Sequence, residues 1–134
     1  MTASAGFIEM LRDALQGAGP VVFKRMFGGA GAYADGAMFA LVADDVLYLK
    51  ADETTRAAFE AEGMGPFVYD GKGKPIAMSY WRVPERLYDD PDEMAEWARR
   101  AIGVARRAAV AKARTAQARA EKSRPPGRSK RSSR

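Results

Sequence analysis

The chain has 134 residues, 47% of them hydrophobic, which suits one domain with a modest core and an appendage. It contains neither cysteine nor histidine, which excludes disulfides, thiolate chemistry, the usual near-neutral proton shuttle and the commonest metal ligand. The net charge of +5 hides a division: residues 1–98 hold 9 Lys/Arg against 16 Asp/Glu, net −7, while residues 99–134 hold 13 Lys/Arg and one acid, Glu121, net +12.

Ser4 is placed to cap a first helix over residues 5–16, with Phe7, Ile8, Leu11 and Leu15 on one face, and Gly17-Ala18-Gly19-Pro20 ends it. Glu9, Arg12 and Asp13 interrupt any apolar leader and no run is long enough for a membrane span, so the expectation is a soluble, cytoplasmic protein without membrane contact. The β-branched and aromatic run 21–27 predicts a strand, interrupted by the glycines of 28–31. Asp35-Gly36 is a tight-turn signal, and 37–43 and 45–51 read as strands around Asp44-Asp45. Three or four strands in a meander fit this stretch.

Asp52 is positioned to cap a helix over 53–62, broken by residues 63–67. Residues 70–75, rich in glycine and lysine, lack the spacing of a phosphate loop and read as a hairpin loop before a strand over 76–83, closed by Pro84. Asp90-Pro91-Asp92-Glu93 combines a capping acceptor, proline at the first helical position and a glutamate three residues on. It predicts a helix from Pro91 to Lys122, about 48 Å long. Met94, Trp97, Ala98, Ala101 and Ala105 share one face, and Arg99, Arg100, Arg106, Arg107 and Arg114 gather on the other. Lys112 and Arg119 fall on the apolar side, so docking should stop near Ala109. The division is then a domain over 1–109 and a projecting helix end with a disordered basic tail over 110–134.

Gly29-x-Gly31-x-x-Ala34 spells a dinucleotide fingerprint, which needs a helix N-terminus after the glycines to hold the pyrophosphate. Strand–turn–strand follows instead, so a bulge or tight turn is the better reading, and no cofactor is expected. The acidic groups at 44–45 and 89–93 read as turn residues and as helix-dipole partners rather than as a metal site. Tyr80 and Trp81 point to opposite faces of one strand, and the acidic body disfavours nucleic acid on the sheet.

The run RMFGGAGAY, followed by DGAMFALVADDVLYLKAD, GMGPFVY and MSYWRVPE, resembles the N-terminal domain of the TfoX/Sxy family over residues 5–105. The resemblance implies an α+β fold, a small antiparallel sheet with packed helices. Family members with known roles are regulators of natural competence that act with the catabolite activator protein at DNA-uptake promoters, and they are not known as enzymes. Longer members carry a second helical domain where this sequence continues into the basic helix.

Two surfaces emerge as candidates. The signature residues Arg25, Met26, Phe27, Gly28 and Gly29 form either a strand end with a glycine turn or a docking edge for a regulatory protein partner, transcription machinery or an activator. Arg100, Arg106, Arg107, Arg114, Arg119, Arg128, Lys130 and Arg131 form a basic extension suited to nonspecific phosphate contacts, or to solvent alone. The rival class, an enzyme using carboxylates or Lys/Tyr, lacks any recognisable acid–base pair.

Overall fold

The computed structural model describes residues 3–26, 28–71 and 73–122, with side chains omitted at 70, 71 and 74–76. Phe27 and residues 123–134, including Arg128, Lys130 and Arg131 and the expected disorder, lie outside the described residues.

Helix α1 (Ala5–Ala14) starts where Ser4 Oγ accepts from Phe7 N at 3.2 Å, and a 3-10 turn over Gln16–Ala18 ends it two residues earlier than the sequence suggests. Strands β1 (Val22–Met26), β2 (Gly29–Ala34), β3 (Ala37–Ala43) and β4 (Val46–Lys50) follow as an antiparallel meander. Asp35 and Gly36, at φ 52° and 80°, form the tight β2–β3 turn, and Asp44 and Asp45, at 52° and 54°, form that between β3 and β4. Helix α2 (Arg56–Ala61) precedes the hairpin of β5 (Pro66–Gly71) and β6 (Lys74–Arg82), and β6 pairs with β4 to complete a six-stranded sheet in the order β1-β2-β3-β4-β6-β5.

Three expectations need correction. Gly29–Ala34 is a full strand rather than an interruption. Its alanines 30, 32 and 34 enter the core, and a Cβ on Gly31 would stand 2.9 Å from Met26 Cε and 3.1 Å from Met38 Cε, so close packing selects small residues. Residues 66–71 form β5 despite Pro66 and Gly71, because an edge strand tolerates a missing donor. Asp52 does not cap α2 directly. Its Oδ1 accepts from Thr54 N and Thr55 N at 3.0 and 3.1 Å, closing a turn before the helix begins at Arg56.

Helix α3 (Pro91–Lys122) has the bounds the sequence predicts, with Asp90 Oδ1 accepting from Glu93 N at 3.2 Å. It lies across β3 and β4, burying Met94, Trp97, Ala98, Ala101, Ile102 and Ala105 against Leu11, Phe39, Leu47 and Leu49. A bulge leaves Phe39 between the pairs Ala32–Ala40 and Tyr33–Met38, which lets consecutive residues Phe39 and Ala40 both enter the core. Burial ends at Ala105, four residues before the expected Ala109, and every residue from Arg106 to Lys122 is exposed.

Candidate functional site

The signature forms the β1–β2 hairpin. Met26 pairs with Gly29, leaving a two-residue loop in which Gly28 has φ 80°. A side chain there would be held in the left-handed region, so the backbone favours glycine over a β-branched residue. Arg25 is exposed, and its guanidinium donates to the Ala3 carbonyl, tying β1 to the start of the chain. Met26 lies over Gly31. The hairpin thus has a complete structural role, with Gly28 at an exposed tip.

The basic candidates on α3 fall into two groups. Nearest the body, Arg100 sits over the Trp97 ring at 5.6 Å, Arg106 pairs with Asp35 in the β2–β3 turn, and Arg107 meets Asp52 Oδ2 at 3.1 Å. Arg99 donates to the Gly17 carbonyl at 2.7 Å. Arg106 and Arg107 fasten the helix to the acidic turns, a role the sequence does not signal because Asp35 and Asp52 are far away along the chain. Arg114 and Arg119 lie farther out on the exposed half, alongside Lys112 and Lys122. Structure therefore splits the arginine stripe of 100, 107 and 114 between anchoring and projection.

At the other end of α3, Arg86 bridges Glu62 at 2.6 Å and Glu93 at 2.8 Å, and Glu93 also accepts from Trp97 Nε1 at 3.2 Å. The Arg86 hydrogen bonds hold both glutamates below the ordinary carboxylate range. Within the acidic run 89–93, Glu93 is thus engaged by Arg86 and Trp97, and Asp90 acts as the α3 cap. Among the described residues, no group of three or more Asp or Glu converges on a cation site.

An open cleft of about 790 Å³ lies between α3, the turn before α2 and strand β6, with Lys50, Asp52, Arg56, Trp81 and Arg107 on its walls. Asp52 is held well below its usual range, first by the Thr54 hydroxyl and then by Arg107. Lys50 is pushed down by burial, and its ammonium donates to Ser79 Oγ at 2.8 Å. The carboxylate is already engaged by two threonines and an arginine.

This meander, hairpin and C-terminal helix are accompanied by a match of residues 13–105 to the family model of the TfoX N-terminal domain. The chain belongs to that family. Within the TfoX N-terminal domain the signature hairpin and the start of α3 lie inside the matched span, whereas the projecting half of α3 lies beyond it. A comparison with curated proteins finds no match. Among the described residues of this TfoX N-terminal domain, no helix is long and apolar enough to cross a membrane.

Proposed function

We propose that this TfoX-type domain is a non-enzymatic regulatory module that works through protein contacts and is drawn to nucleic acid by its projecting helix. The observation carrying this reading is the exposed run Arg106–Lys122, whose part beyond the anchoring Arg106 and Arg107 holds four Lys/Arg and one Glu. Spaced cations on a rigid rod neutralise phosphates along a polyanion, releasing counterions. No aromatic residue lies beyond Trp97, so this segment positions the protein without stacking on bases or reading them.

The family resemblance supports transcriptional regulation of competence as the setting, with an activator or the transcription machinery as partner. The β1–β2 hairpin is the proposed docking edge, because Gly28 at the tip lets a second backbone approach closely. Affinity capture from the source cell, with and without nuclease, tests the reading. A regulatory protein retained after nuclease treatment supports it. Loss of every captured protein with the nucleic acid would refute the protein-contact part.

A further inference from the structure

The strand residues of the core, among them Ala30, Ala32, Val42, Leu47 and Leu49, lie on one face of the sheet. Helices α3, on β3 and β4, and α2, on β6, contact the sheet through that same core. The alternating positions form the other face, and Tyr33, Met38, Tyr48 and Phe67 there belong neither to the core nor to the side chains packed against it.

Charge on this second face is opposite to that of the body as a whole. Asp70 is the one acidic residue in the six strands; the remaining carboxylates of residues 1–98 sit on helices, turns and connections. Lys24, paired with Gly31, and Arg82, paired with Tyr48, contribute cations to the open face, while the Lys50 ammonium is held by Ser79 Oγ beside the helix-side cleft. A net charge averaged over residues 1–98 therefore misdescribes the sheet, and the objection that the acidic body repels phosphate does not apply to this face.

The aromatic geometry favours a particular occupant. Lys24 Nζ stands 4.9 Å over the Tyr33 ring, and Tyr33 is half-buried. An ammonium on a flexible stem covers the position that a flat base would take. It can swing to a neighbouring phosphate when the base arrives. Tyr48 and Phe67 meet edge to face at 5.1 Å, both half-buried, and Tyr69, two residues along β5, is 44% exposed. Rings on β2, β4 and β5 interleaved with lysine and arginine supply what unpaired bases require, namely π-faces for stacking and cations for the backbone. A duplex keeps its bases stacked on one another and cannot use the rings.

We propose that the open sheet face binds single-stranded nucleic acid, with Tyr33, Tyr48, Phe67 and Tyr69 as stacking platforms and Lys24 and Arg82 as phosphate contacts. This site is separate from the projecting helix and does not depend on it. The test is fluorescence anisotropy on the full chain with a short labelled DNA strand, an abasic strand of equal length and a duplex. Raised salt suppresses attraction by the helix. The intact strand should bind about tenfold or more tightly than the abasic one. Phe67→Leu and Tyr48→Leu should each weaken strand binding several-fold and leave duplex binding unchanged. Lys24→Gln, a surface change, should flatten the strand's salt slope by about 0.7. The abasic comparison needs no variant and so stands even if a ring substitution unfolds the sheet. Equal binding of intact and abasic strands would overturn the proposal. So would competition by polyglutamate that depends on Lys24 but not on the rings, which would assign the face to an acidic protein segment.

Discussion

Replacing Gly28 by valine separates a structural turn from a docking edge. Gly28 sits at φ 80°, in a two-residue loop fixed by the Met26–Gly29 pair. An L-residue in the left-handed region costs about 1–2 kcal/mol, and a β-branched side chain is the least suited to it. At about 4–8 °C per kcal/mol for a domain near 100 residues, Gly28→Val should lower the melting temperature by about 4–16 °C. Gly28→Asn should lose much less, because asparagine tolerates this conformation. Thermal unfolding followed by circular dichroism measures both, without any nucleotide. An unchanged melting temperature for the valine variant would refute the argument from backbone strain. The asparagine variant also reports on function: if it folds yet loses the captured partner, the hairpin tip is the docking edge. Tight dinucleotide binding by the unmodified chain in calorimetry would restore the fingerprint rejected above.

Tyr88→Phe should cost about 1–3 kcal/mol in denaturant unfolding, since the Tyr88 hydroxyl accepts from the buried Leu47 N–H at 3.0 Å and its loss strands that donor. Asp90→Ala should cost about 1 kcal/mol through loss of the α3 cap, with no effect of Mg²⁺ on the melting temperature in either protein beyond that of ionic strength. Acid should destabilise the domain. Asp52, Glu62 and Glu93 all have lowered values when folded, so below about pH 5 the unfolded chain binds more protons, and the stabilisation present at neutral pH fades as pH falls. Arg86→Gln should make that decline in melting temperature shallower, because Glu62 and Glu93 lose the guanidinium that lowers them.

Local chemistry made some elements legible. Asp90-Pro91-Asp92-Glu93 announces α3 because capping acceptor, proline and acidic first turn all favour the same conformation, and no later residue stops the helix. Asp35-Gly36 likewise defines its turn. What escaped depended on neighbours distant in sequence. Gly29–Ala34 is rich in residues that weaken isolated strands, and it becomes a strand because the helix side and two methionines leave no room for larger groups. Strand β5 was hidden by Pro66 and the Asp70-Gly71 pair, which mark breaks locally but are tolerated at an edge. Helical periodicity located the arginine face of α3 correctly. It could not reveal that Arg106 and Arg107 fasten to Asp35 and Asp52, because those turns are brought beneath the helix only by the sheet. Nor could the sum of charges over the body show that the carboxylates avoid the strands.

Duplex binding by the full chain and by a chain ending at Ala109 tests the central claim most directly. The shortened chain retains every buried residue of α3, since burial ends at Ala105, and loses nine of the 22 basic residues. Anisotropy with labelled duplexes of unrelated sequence, over a range of salt concentrations, should show a linear fall of log affinity with log salt for the full chain. Its slope should be near −0.9 for each phosphate neutralised, with little preference among sequences. The shortened chain should remain folded and lose most of that binding. Equal affinity and equal slope for the two chains would place duplex recognition on the body and contradict the account.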